Sequence, residues 1–106
     1  MSVVTDVLLT HKEKQSSIND FNKKMNEAGF DSLIELDFVK IPHGGSKVFQ
    51  SHILCAAYNY CDIDKIIDIF NKHPWGHHNE VQIFYRHEDD SRFTILIPKK
   101  WKEEDF

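Results

Sequence analysis

The densest group of side chains that could do chemistry lies in the eight residues from position 73 to position 80. The segment contains one carboxylate, Glu80, and three imidazoles: His73, His77 and His78. Imidazole nitrogens and carboxylate oxygens are common zinc ligands. The spacing does not match HExxH, which places two histidines on one helix face, and Pro74 and Gly76 interrupt any helix here. We therefore expect a connecting loop that holds no metal and no cofactor.

Acid–base chemistry without a metal is a second interpretation of the histidines. A metal-independent ribonuclease needs two imidazoles of complementary protonation and a cation that holds the phosphate. Histidine can perform both proton-transfer roles near neutral pH. Further histidines lie outside the cluster: His43, His52 and His87. No spacing in the sequence brings two of them together, so a histidine-dependent hydrolase or nuclease stays an alternative.

Motifs for nucleophilic and phosphate-binding chemistry are absent from the sequence. There is no GxSxG, P-loop or GxGxxG, and Gly44-Gly45 lacks the lysine and serine that follow in a phosphate loop. Cys55 lies between apolar residues, where a structural thiol is expected. We expect Cys55 and Cys61 to be reduced, since a small secreted domain usually carries more cysteines. An enzymatic function is therefore less favoured than a binding function.

Composition and charge limit the partners. The 106 residues carry a net charge of −4, and the only arginines are Arg86 and Arg92. Nucleic-acid-binding domains usually have a basic face, and a membrane-spanning helix needs about 20 consecutive apolar residues. The N-terminus lacks the basic leader of a signal peptide. We expect a cytoplasmic protein that binds neither nucleic acid nor membrane, and whose protein partner could be basic.

Trp75 is the candidate anchor for a protein partner. It follows Pro74 in a predicted connection, and exposed tryptophans often dominate binding energy. The alternative is that Trp75 caps the hydrophobic core at the end of a helix.

Acidic residues form a second candidate binding surface. The predicted hairpin turn contains Glu88, Asp89 and Asp90, which could steer a basic partner. Aspartates are also common in turns for conformational reasons alone. Asp64 and Asp68 would enlarge the surface if the second helix lies beside this turn.

Hydrophobic periodicity predicts two helices. The first begins at Ser16 or Ser17 and presents one apolar face before Gly29 ends it: Ile18, Phe21, Met25 and Ala28. The second is capped by Asp62, ends at Pro74 and has its own apolar face: Ile63, Ile66, Ile67 and Phe70. Five strands are predicted over residues 2–10, 32–41, 47–58, 80–87 and 92–97, the second and third as a hairpin closed by a glycine turn.

The element order β-α-β-β-α-β-β predicts an α+β domain over residues 1–98. It resembles the ferredoxin-like class, a split β-α-β sandwich in which two helices cover one face of an antiparallel sheet. The other face would be open to water or to a partner, including a second copy. Residues 99–106 form a charged tail in which Trp101 could dock onto the domain.

In size and charge the chain resembles the small acidic inhibitors that bacteria keep against their own toxins. This resemblance implies a non-enzymatic intracellular binding protein of the inhibitor or immunity type, which occludes a more basic partner. A small-molecule-binding or self-assembling regulatory domain is the alternative, because a fold alone does not specify a function.

Overall fold

Residues 3–98, which the computed structural model describes, form a mixed α+β fold of five strands and two α-helices. The strands are β1 Val4–His11, β2 Ile34–Glu35, β3 His52–Asn59, β4 Gln82–His87 and β5 Thr94–Leu96. The helices are α1 Gln15–Glu27 and α2 Ile63–Lys72, with a short 3-10 helix at His78–Glu80. No helix of this region is both long and apolar enough to cross a bilayer. The predicted tail over 99–106, with Trp101, lies outside the described residues.

The strands make one open antiparallel sheet in the order β2-β3-β1-β4-β5. β1 is the central strand, with Leu8 opposite Cys55 of β3 on one side and opposite Phe84 of β4 on the other. The predicted α+β class, with an antiparallel sheet and two helices, is confirmed for the described residues.

One face of the sheet is covered by the helices. Alternate residues of β1, from Thr5 to His11, are buried, and the buried side chains of both helices join the same core. Its largest fully buried members include Phe21, Phe70, Leu9, Ile18, Met25, Leu54, Ile66 and Ile83. The intervening β1 residues, such as Asp6 and Leu8, face the opposite side because side chains alternate along a strand. That second face is only half-buried at β1.

The second and third strands pair antiparallel as predicted, but the predicted strand lengths and the tight glycine turn between them are wrong. β2 contains only Ile34 and Glu35, and β3 begins at His52. The N–H of Leu36 still donates to the carbonyl of Ile53 at 2.9 Å, and residues 37–51 form an excursion outside the sheet. The backbone of Asp37 accepts hydrogen bonds from Lys40 and Ile41, and its carboxylate accepts one from Val39. Such local bonds compete with the ladder of a sheet. The excursion also stacks Phe38 on Phe49, with ring centroids 4.3 Å apart.

Other element ends differ by a few residues. α1 begins at Gln15 after Lys14, and Ser17 does not cap it, because the Ser17 hydroxyl bonds to Glu13 and His73 instead. The predicted cap of α2 is confirmed, since Asp62 Oδ1 accepts the N–H of Asp64 at 3.2 Å. β4 starts later than predicted because the preceding residues form the 3-10 helix.

Trp75 completes the core beyond the end of α2. Its side chain is 8% exposed, and its indole Nε1–H donates to the carbonyl of Phe70 at 2.8 Å. The ring lies 5.2 Å from Phe21 and 5.7 Å from Phe70 between centroids. The indole therefore connects α1 to α2, in agreement with the core-capping interpretation of this residue.

We predict that Trp75→Ala lowers the free energy of unfolding by about 3–5 kcal/mol, the usual loss for a buried tryptophan. The substitution leaves a cavity between the helices and removes the bond to the Phe70 carbonyl. Urea unfolding followed by circular dichroism measures the change. Val39→Ala is the control, because Val39 is 83% exposed and its truncation should cost less than about 0.5 kcal/mol. Equal losses in the two variants would contradict the core role of Trp75.

Candidate functional site

The sheet topology gathers histidines at one end of the molecule. β1 ends at His11, β3 begins at His52, and β4 begins shortly after the 3-10 helix. Because β1 runs antiparallel to both neighbours, these points share one end of the sheet. α2 also ends there. We call this the histidine end, and it carries His11, His52, His73, His77 and His78.

A network of four polar side chains crosses the histidine end, and we call it the His73 network. Lys24 Nζ lies 3.1 Å from His73 Nδ1. His73 Nε2 lies 3.0 Å from Ser17 Oγ, which is 3.2 Å from Glu13 Oε1. Ser17 and Lys24 are seven positions apart on α1 and therefore share a helix face. The His73 ring packs over that face, 5.6 Å from the Phe21 ring between them.

The network has a defined hydrogen-bond direction. A lysine ammonium only donates, so His73 Nδ1 accepts and the neutral ring carries its hydrogen on Nε2. That hydrogen is donated to Ser17 Oγ, and the Ser17 hydroxyl donates in turn to Glu13. In a serine–histidine pair that activates a nucleophile, the serine must donate to the imidazole. The spacing of Ser17 and His73 therefore resembles such a pair, but the proton lies on the wrong atom.

The carboxylate of Glu13 also holds the loop that follows α2. Its Oε1 accepts the N–H of Gly76 at 2.9 Å, and its Oε2 accepts the N–H of His77 at 2.8 Å. Burial alone would raise the pKa of Glu13, but these two N–H donors, with Ser17, outweigh it and lower the pKa below its ordinary value. Glu13 therefore stays ionised and binds positions 74–77 to the start of α1.

His73 is a buried neutral base. Its side chain is 3% exposed, and its ring contacts Trp75 at 4.3 Å between centroids. Burial, and then the charge of Lys24, lowers the pKa of His73, while Asp20 and Glu13 oppose the shift. A neutral ring is the form that the Lys24 contact requires.

A second pair of imidazoles lies beside this network. His11 and His52 are opposite each other in β1 and β3, and their rings stack at 5.3 Å. His52 Nδ1 contacts Glu35 Oε2 at 2.7 Å, and His11 Nδ1 accepts the N–H of Glu13 at 2.9 Å. Burial, and then the neighbouring His52, lowers the pKa of His11. Within residues 3–98, the buried Nε2 of His11 has no hydrogen-bond partner.

The predicted histidine cluster does not converge on one point. His73 is buried in the network, whereas His77 is exposed and His78 is half-buried in the 3-10 helix. Among the described residues, no three histidine, cysteine, aspartate or glutamate side chains are grouped so that they could hold a metal ion.

The predicted acidic surface lies at the opposite end of the sheet. β3 ends and α2 begins there, and Glu88 N–H donates to the carbonyl of Val4 at the start of β1. We call this the acidic end, and its exposed carboxylates are Asp62, Asp64, Glu88, Asp89 and Asp90. Asp68 lies a turn further along α2 and forms an ion pair with Lys72 at 3.0 Å. Trp75 belongs to neither surface, because it is buried in the core.

Sequence reasoning missed Glu13, Ser17 and Lys24. The usable signal was the spacing of Ser17, Phe21 and Lys24 on one face of α1, where two polar residues flank an aromatic that points to the core. Glu13 gave no local signal, because its partners lie 63 and 64 residues further along the chain.

We predict that Lys24→Met raises the pKa of His73, because it removes the neighbouring positive charge while burial is unchanged. Imidazole nitrogen NMR against pH measures the pKa and the tautomer, and we expect hydrogen on Nε2 in the unmodified protein. Lys23→Met is the matched control, because Lys23 is the exposed neighbour on α1. Equal His73 titration in the two variants, or hydrogen on Nδ1, would contradict the assigned direction.

We predict that Glu13→Gln lowers the free energy of unfolding by about 1–3 kcal/mol at pH 7, the usual cost of leaving a hydrogen-bonding group without its partner. The amide presents an NH2 group to one of the two backbone N–H donors. Because the folded pKa of Glu13 lies below the ordinary value of 4.5, its contribution is complete above about 4.5 and is lost as the pH falls through the folded value.

Urea unfolding between pH 7 and pH 3 should therefore show the difference between the two proteins shrinking in acid. Glu27→Gln is the control, because Glu27 is exposed at the end of α1, and it should change stability by less than about 0.5 kcal/mol. A difference that stays constant over this pH range would contradict the role of the ionised carboxylate.

The two ends of the sheet thus differ in chemistry, with two buried imidazoles of lowered pKa at one and exposed carboxylates at the other. No family model, curated protein or solved structure matches this chain.

Proposed function

We propose that this chain is a non-enzymatic protein-binding domain of the inhibitor or immunity type, and that its acidic end contacts a basic partner. The observation that carries the proposal is that the β3–α2 junction and the β4–β5 turn lie at the same end of the sheet, on either side of the start of β1. Two acidic segments that are distant in sequence are thereby exposed at one end of the molecule.

The electrostatics of the acidic end support this proposal. Its five carboxylates are exposed, and none forms an ion pair with another residue in 3–98. Lys65, Arg86 and Arg92 are the nearby cations in sequence, and the five carboxylates outnumber them. An excess of charge of one sign raises the association rate of an oppositely charged partner.

The β4–β5 turn is held in place by its own acidic side chains. Glu88 Oε1 accepts the N–H of Val4 at 2.6 Å, and Asp90 Oδ2 accepts the N–H of His87 at 3.2 Å. Arg86 also donates to the carbonyl of Asp90 at 3.0 Å. An ordered surface loses less conformational entropy on binding, which favours recognition without rearrangement.

The alternative of a histidine-dependent hydrolase is less favoured by the same geometry. In the His73 network, His73 Nε2 donates to Ser17 Oγ, so this nitrogen cannot accept the proton of the Ser17 hydroxyl as a general base would. Burial, and then Asp62, raises the pKa of Cys61, which is the opposite of what activates a thiol.

A ferredoxin-like relationship belongs to the same proposal. It is supported by a central β1 between β3 and β4, with helices following β1 and β3. The five-stranded order departs from a four-stranded sheet by adding β5, and the two-residue β2 departs from a regular strand. The free cysteines, Cys55 and Cys61, are compatible with the cytoplasm as the compartment.

The first test is an affinity pull-down of the tagged protein from its native cells, with mass spectrometry of the retained proteins. We expect a stoichiometric basic protein. The association rate constant is then measured against salt for Asp89→Lys and for Glu80→Lys. The two variants change the net charge equally, but Glu80 lies at the histidine end.

We expect Asp89→Lys to slow association several-fold at low salt and to reduce the salt dependence, since steering acts through the local field. Glu80→Lys should have a smaller effect. Equal effects of the two variants would show that only net charge matters, and retention of no basic protein would remove the proposal.

A further inference from the structure

The open face of the sheet carries an apolar row that crosses all five strands. The ladder pairings place its members side by side, in the order Ile34, Cys55, Leu8, Phe84 and Ile95. With strands about 4.8 Å apart, the row is about 19 Å long. Ile34 is 65% exposed and Ile95 is 55% exposed. An apolar row of this length on a sheet face is unusual for a surface that meets only water.

A charged pair lies directly beside this row. Asp6 is opposite Arg86 in the β1–β4 ladder, and their charged groups are 3.8 Å apart. Both side chains are partly exposed, and Arg86 also lies 5.9 Å from the centre of the Phe93 ring. One acidic and one basic side chain are therefore directly opposite each other on the neighbouring strands β1 and β4.

From this arrangement we propose that the open face binds a second copy of this chain, in a symmetric dimer. A two-fold axis parallel to the strands, between β1 and β4, brings β1 of one copy over β4 of the other. Asp6 then faces Arg86 of the other copy, and Leu8 faces Phe84 of the other copy. Each charge pair forms twice, because an isologous interface repeats every contact.

The sizes of the side chains that would face each other are also compatible with this two-fold axis. It brings β3 of each copy over β5 of the other. On the open face Cys55 and Ala57 of β3 lie over the bulky Ile95 of β5 and Phe93 before it, whereas Ile53 of β3 lies over Ile97. At two of these three levels a small residue faces a large one, which favours the approach of two sheets to the usual distance of about 10 Å.

None of the five carboxylates of the acidic end lies in the apolar row, although Arg86 also donates to the carbonyl of Asp90, so the dimer does not depend on the proposed partner. Five strands about 4.8 Å apart, none longer than eight residues, span at most about 630 Å² at about 3.3 Å per residue, which is below the roughly 800 Å² per partner of a standard stable complex. We therefore expect a reversible dimer whose population depends on protein concentration.

Sedimentation of the full chain from about 1 μM to about 1 mM, a range that spans weak dissociation constants, tests the proposal. We expect a shift from monomer to dimer, and Ile95→Lys should weaken dimerisation at least tenfold. Val48→Lys is the matched control, because Val48 is similarly exposed at 57% but lies in the excursion outside the sheet. Circular dichroism verifies that both variants are folded.

A charge exchange tests the axis itself. Asp6→Arg and Arg86→Asp should each weaken self-association, because like charges then face each other. Mixing the two variants should restore a dimer, since both facing pairs again become opposite in sign. A monomer at every concentration, or a dimer that Ile95→Lys leaves unchanged, would overturn the proposal. Failure of the mixture to restore a dimer would overturn the proposed axis.

Discussion

The arrangement of the helices depends on one buried imidazole. His73 contacts Lys24 and Ser17 of α1 through its two nitrogens, and the Ser17 hydroxyl donates a hydrogen bond to Glu13. The carboxylate of Glu13 in turn holds the N–H groups of the loop after α2. A buried polar group without partners is costly, so the network holds α1, the end of α2 and this loop in one relative position. The core around Trp75 forms within that position.

The helices were predictable because their burial is periodic. Phe21 and Met25 of α1, and Ile66 and Phe70 of α2, are all buried as their spacing indicates. The lengths of the two hairpin strands were not predictable in the same way. Alternating apolar side chains indicate an extended segment, but they do not show whether its backbone groups bond to a neighbouring strand. Local hydrogen bonds to Asp37 take the chain out of the ladder, and the pattern of apolar residues does not report them.

The candidate surfaces were only partly predictable, for a related reason. The acidic turn and the start of α2 were identified from composition, but their common location follows from strand direction. His73, His77 and His78 are close in sequence, yet the end of α2 turns the first inward and leaves the second exposed. Conversely, Glu13 acquires its role through partners that only the tertiary fold brings near. At the end of α2, where the chain reverses direction, neighbours in sequence therefore have different surroundings, and residues distant in sequence come into contact.

The short edge strands have a consequence for how the molecule avoids uncontrolled assembly. β2 has two residues and β5 has three, so these two outer strands themselves offer few unpaired backbone groups to an incoming strand. Long exposed edges invite strand addition, which can continue without limit into fibres. A sheet that ends in such brief strands gives little template for this growth. Its backbone chemistry therefore works against open-ended polymers, and side chains on its faces determine what it associates with.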